Sequence, residues 1–143
     1  MNYFVIDANV AVKWLPLFSG EPMVTEAYSF LERLASGEIA ILVPDLFWLE
    51  CASVLWKAVR RGTCDPAEAE AALETLQQQD IETVQTKDEV KAALAIAIRH
   101  GRSIYDSSYV ALAVKAKAQL VTADEKLANV LAAHLPVKWL GAL

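Results

Sequence analysis

Tyr3-Phe4-Val5-Ile6-Asp7 is an apolar run closed by a carboxylate. It is short and partly β-branched, and no polar residue alternates through it. Such a run reads as a strand buried on both faces, as in a parallel sheet. Ile39–Val43 and Leu120–Thr122 have the same character. Ile81–Val84 and Val137–Leu140 are weaker strands, expected at an edge. Helical patterns fill the intervals. A short helix is expected over Ala8–Trp14, and others over Glu21–Ser36 before Gly37 and Asp45–Arg61 before Gly62. Asp65, Pro66 and Glu68 form a capping box that opens a helix to about Gln79. Thr86 with Glu89 repeats that spacing and opens a helix ending at His100-Gly101. Ser103 or Tyr105 opens the next, to about Ala118, and Asp124 a short one to about Ala133. Strands alternating with helices predict an α/β fold, with a central mainly parallel sheet covered on both faces.

The chain of 143 residues suits one domain, and no repeat or Pro/Gly/Ser linker divides residues 1–143. Its hydrophobic fraction of 55% exceeds the usual range of about 45–50% and leaves apolar surface for a partner. No apolar run approaches the roughly 18 residues that span a bilayer, so no membrane association is expected. The N-terminus lacks a basic stretch before a long apolar one, so a signal peptide is not expected and a cytoplasmic location is. A net charge of -5 argues against a general nucleic-acid coat protein. Cys51 and Cys64 make no CxxC pair and read as reduced thiols.

Chemistry enters through four acids: Asp7, Glu50, Asp106 and Asp124. Asp7 and Asp124 follow strands, and in open α/β sheets sites form outside the carboxyl ends of strands. Each aspartate has a second explanation, because helix N-termini attract aspartate; Asp106 lies three residues after Ser103, at capping-box spacing. Glu50 is harder to explain by capping. Phe47 and Val54 share its helix face, so its carboxylate is desolvated unless it is paired or metal-bound. A salt bridge with Arg99, Arg102 or Lys13 is the inert alternative. Gathered together, the acids repel unless a cation lies among them, and Mg²⁺ or Mn²⁺ suits oxygen donors. Such ions could activate water for phosphodiester hydrolysis without a histidine base. His100 and His134 lie outside the acidic set.

The segments Val5-Ile6-Asp7-Ala8-Asn9-Val10, Pro44 to Glu50, Ile104 to Ala113 and Leu120 to Leu127 together resemble a PIN-domain ribonuclease of the VapC toxin type. The third segment, with its Tyr109-Val110-Ala111-Leu112-Ala113 run, is the most specific. The resemblance implies a three-layer α/β/α sandwich and Mg²⁺- or Mn²⁺-dependent endoribonuclease activity on RNA. It further implies a small antitoxin partner and a homodimer. Asp7, Glu50, Asp106 and Asp124 fall on the family's metal-binding acids, with Asn9 and Thr122 as polar supports. Ser53 stands where family members often carry Asn, which puts the surroundings of the acids in question.

Other readings remain open. A Mg²⁺-dependent phosphatase would want a second Asp two residues after Asp7, where this chain has Asn9. A phospho-accepting domain would want a mid-chain strand with a lone Asp. A PIN-like interaction module without catalysis is the third. The Asp45–Arg61 helix shows two apolar stripes, Phe47-Glu50-Val54 and Trp48-Ala52-Leu55-Val59. The second is either core or a groove for a partner helix anchored by Trp48 or Trp56. Lys57, Arg60 and Arg61 suit the end of that helix, and Arg99, Arg102 or Lys13 are available to substrate phosphates.

Overall fold

In the computed structural model, residues 2–143 are described. Strands β1 (Asn2–Ile6), β2 (Ile39–Pro44), β3 (Ile81–Val84), β4 (Gln119–Thr122) and β5 (Val137–Trp139) form one sheet in the order β3-β2-β1-β4-β5. Every pairing is parallel, with Val5 of β1 set between Leu42 of β2 and Leu120 of β4. All five expected strands form, and the two weaker ones are the sheet's edges. The helices are α1 (Ala8–Ala11), α2 (Val24–Ala35), α3 (Leu46–Arg60), α4 (Pro66–Gln77), α5 (Val90–His100), α6 (Ile104–Ala116) and α7 (Glu125–Leu131). They cover the sheet in a three-layer α/β/α sandwich. Helix α6 lies against β1, β2 and β4, and α5 packs on α6. Val5, Ile6, Val43, Leu120 and Val121 are fully buried, which is why these runs carry no polar alternation.

This strand order fixes where a site can form. The chain builds β1, β2 and β3 outward in one direction, then returns to place β4 on the other side of β1. Connections therefore diverge at the carboxyl ends of β1 and β4, and a crevice opens there. Asp7 leaves β1 at that point, with its amide on the Val121 carbonyl of β4 at 3.1 Å.

Several local expectations are corrected. Helix α2 begins at Val24 and not Glu21: Met23 takes a left-handed φ of 63°, and Glu21 is drawn to Lys13 at 3.1 Å. The box at Asp65–Glu68 forms in full. The one expected at Thr86–Glu89 does not. A 3-10 turn spans Thr86–Asp88, and Glu89 is buried against Lys115 at 2.9 Å, so its side chain is unavailable to cap. On α3 the buried face is Phe47, Cys51, Leu55 and Ala58, which matches neither expected stripe. Trp48 is half-buried and donates to Thr83 Oγ1 at 3.0 Å, whereas Trp56 is exposed under the Arg60 guanidinium. Both cysteines are buried and free. Among the described residues, no helix is long and apolar enough to cross a membrane.

Candidate active site

Asp7 sits at the head of α1, but its side chain makes no capping bond there. Its Oδ2 instead accepts from Thr122 Oγ1 at 3.0 Å and Asn9 Nδ2 at 3.3 Å. Thr122 Oγ1 also takes the Asp124 amide at 3.1 Å, and Asn9 Oδ1 takes the Ala123 amide at 3.0 Å. The two polar residues thus tie the end of β4 to the end of β1 and fix the Asp7 carboxylate. Asp124 does act as a helix cap, accepting the Leu127 amide at 3.1 Å. At α6 the cap is Ser103, whose Oγ accepts the Asp106 amide at 3.0 Å. The Asp106 carboxylate is therefore left to face Arg102 at 3.8 Å.

Glu50, in the second turn of α3, is half-buried. It makes no ion pair with Arg99, Arg102 or Lys13. Lys13 is taken by Glu21 and Arg102 by Asp106. Its partner is the Tyr109 hydroxyl, which donates to Glu50 Oε1 at 2.6 Å from the buried middle of α6. Sequence reasoning assigned Tyr109 no role. The available signal was a phenol inside an otherwise apolar helix, since a buried tyrosine hydroxyl usually finds a partner.

Electrostatics joins what hydrogen bonds hold apart. Burial, then the charges of Glu50 and Asp106, push the Asp7 carboxyl up to about 7, against the lowering effect of Thr122. Burial also raises Glu50, and Asp106 adds to it while the Tyr109 bond opposes. Asp106 is raised by burial and by Asp124, with Arg102 opposing. Cys51 beside them is pushed up to about 12 by burial, Glu50 and Asp7, and stays a thiol. Each of the four acids thus feels or exerts the field of another across the crevice. Among the described residues, Arg102 is the one cation paired with any of them. Also among the described residues, no three acidic, histidine or cysteine side chains are gathered closely enough to hold one ion together. The donor chemistry nevertheless fits a hard divalent cation: the set is all carboxylate, and Asp7 is buried in mutual repulsion with no cation beside it.

The PIN domain model matches residues 4–132. The chain belongs to the PIN domain family. Among PIN proteins, the chain is 36% identical over 128 residues to ribonuclease VapC3 of Pyrobaculum aerophilum, covering 87% of this chain and 92% of that one. The crystal structure of PAE2754, also from Pyrobaculum aerophilum, superposes with a TM-score of 0.68 at 21% identity, over 99% of this chain and 92% of that chain. A toxin–antitoxin complex from Klebsiella pneumoniae gives a TM-score of 0.61 at 18% identity, over 94% of both chains. The last two likenesses speak to the fold alone. The PIN match runs from β1 to α7 and spans all four acids.

Proposed function

We propose that this PIN protein is a metal-dependent endoribonuclease that hydrolyses RNA phosphodiester bonds, and that it is the toxin of a toxin–antitoxin pair. The observation that carries the reading is the buried Asp7 at the strand switch point, its carboxyl raised to about 7 by burial and by Glu50 and Asp106 with no cation beside it. A protein gains nothing in stability from such an arrangement, and it is what a divalent ion would relieve. Asp7, Glu50, Asp106 and Asp124 would hold Mg²⁺ or Mn²⁺. An ion bound there supplies a lowered pKa for water and offsets charge on the phosphoryl group. The chain's own residues do the positioning. Thr122 and Asn9 hold one oxygen of Asp7, Tyr109 one oxygen of Glu50, and the Leu127 amide one oxygen of Asp124. Anchoring of this kind is how outer partners orient metal ligands.

Ribonuclease VapC3 supports the RNA substrate, and the Klebsiella complex supports an antitoxin partner. Exposed Leu49 and Trp56 on α3, and Leu94 and Ile98 on α5, are available to such a partner or to a second copy in a homodimer. The test is cleavage of a mixed-sequence RNA with Mg²⁺ or Mn²⁺, with and without chelator, by the wild type and by Asp7→Asn and Glu50→Gln proteins. Wild-type cleavage that needs the ion and falls at least about 100-fold in either variant is expected. Full activity in either variant would remove the assigned chemistry.

A further inference from the structure

A cavity of about 590 Å³ lies between the end of α5 and the segment joining α7 to β5, lined by Ala95, Ile96, Arg99, His100, His134 and Leu135. We infer that this cavity is an RNA-binding subsite on the flank of the fold, holding the substrate strand as it leads away from the catalytic edge, through phosphate contacts to Arg99 and base stacking on His100 and His134. The inference rests on the RNA-cleaving reading proposed above and adds to it where the strand runs.

Charge comes first. The chain carries -5 overall and gathers acids at its crevice, so a polyanion is repelled unless cations stand nearby. Of the basic residues close to the acids along the chain, Lys13 is committed to Glu21 and Arg102 to Asp106. Arg99 and Lys126 make no ion pair among the described residues, and of these two Arg99 lines the cavity. The cluster Lys57, Arg60 and Arg61 is also basic, but it lies at the C-terminal end of α3, the end opposite Glu50.

Placement comes next. Gly101 ends α5 with a left-handed φ of 65°, Arg102 follows it, and Asp106 stands in the first turn of α6 with Arg102 at 3.8 Å. The end of α5 therefore abuts the helix end that carries a candidate ligand. The helix dipole alone accounts for Arg99 and His100, since cations favour helix C-termini. It does not account for His134, which enters from the segment before β5, where the Leu120 amide donates to the Pro136 carbonyl at 2.8 Å, so the cavity runs along the flank from the end of α5 towards the amino end of the sheet. The backbone there is held by amide bonds from His134 and Leu135 to the Leu131 carbonyl, at 3.1 and 2.9 Å.

The lining chemistry is that of a single-strand site. Arg99 supplies a donor fork for phosphate, the imidazoles offer flat faces for bases, and Ala95, Ile96 and Leu135 supply an apolar floor. The volume lies within the roughly 300–1,000 Å³ of pockets that enclose small ligands, enough to seat part of a strand.

The experiment reads binding separately from cleavage. A fluorescein-labelled, mixed-sequence single-stranded RNA is titrated in EDTA, and anisotropy is followed at several salt concentrations. The proteins are the wild type, R99A/H134A and, as control, K57A/R60A, each checked by circular dichroism and melting. The R99A/H134A protein is expected to bind roughly tenfold more weakly, with the salt slope reduced by about one. The K57A/R60A protein should stay within about twofold of wild type. R99A/H134A binding within about twofold of wild type, at the same slope, would overturn the subsite. So would a larger loss in K57A/R60A. The same wild-type sample is then given Mn²⁺: absence of cleavage would count against the nuclease reading and leave the binding result standing. If R99A/H134A does not fold, R99Q and H134Q tested singly carry the same comparison.

Discussion

Tyr109 and Glu50 lie 59 residues apart and meet at 2.6 Å, a short bond of the kind made to an ionised acceptor. The hydroxyl lowers the Glu50 carboxyl against the upward push of burial and Asp106. Tyr109→Phe removes that bond and leaves the buried ring. Glu50 should then shift further up and lose its orientation. Water can reach a half-buried carboxylate, so the stability loss should be modest, about 1 kcal/mol. Cleavage should fall more, by roughly tenfold, as when an outer partner of a metal ligand is removed. Melting and RNA cleavage measured together check this, and an unchanged rate would reduce Tyr109 to a packing residue. At this scale the chain was partly legible. Glu50 stood out because a carboxylate among Phe47 and Val54 needs a reason. Its partner did not, because nothing in local spacing reports a contact 59 residues away.

Helix caps decide a different set of outcomes. Ser103 caps α6 through the Asp106 amide, and Asp65 caps α4 through the Glu68 amide at 2.8 Å. Alanine at either position should cost about 1 kcal/mol. The functional effects should differ, because Ser103 holds the turn that carries Asp106, while α4 carries none of the four acids. Ser103→Ala should therefore lose activity beyond its loss of stability, and Asp65→Ala should retain wild-type cleavage below its melting range. Equal activity loss in the two proteins would contradict the separation. The Asp65 box was readable because both partners lie within one turn of a helix that is largely solvent-exposed. The same pattern at Thr86 misled because a distant lysine, Lys115, claims Glu89. The faces of α3 were misassigned for a related reason. From Leu46 to Leu49 every residue is apolar, so periodicity cannot say which stripe turns inward; packing against the neighbouring elements selects Phe47, Cys51, Leu55 and Ala58.

For the whole molecule, alternation of strands and helices was enough to give a covered parallel sheet, but not its strand order, and the order is what brings Asp7 to Thr122 across 115 residues of chain. That juxtaposition sets a conflict between folding and function which pH should expose. Asp7 is raised to about 7 in the folded protein from an ordinary value of 3.8. A carboxyl raised on folding binds its proton more tightly in the native state. Its contribution is fully present below about pH 4 and is lost as pH rises through about 7, for a total of up to about 4 kcal/mol. Glu50 and Asp106, also raised, act in the same direction. In chelator, Asp7→Asn protein should therefore melt increasingly above wild type between pH 5 and 8, and the two should converge towards pH 4. An ion that binds only the ionised carboxylates should narrow the gap at pH 8. At a concentration of 100 times its dissociation constant it adds about 2.7 kcal/mol to wild type, and it adds less at pH 5.5, where protons compete. Asp7→Asn protein should respond weakly to Mn²⁺ at both values. Parallel pH profiles for wild type and Asp7→Asn in chelator would mean that Asp7 carries no buried charge for an ion at the switch point to relieve.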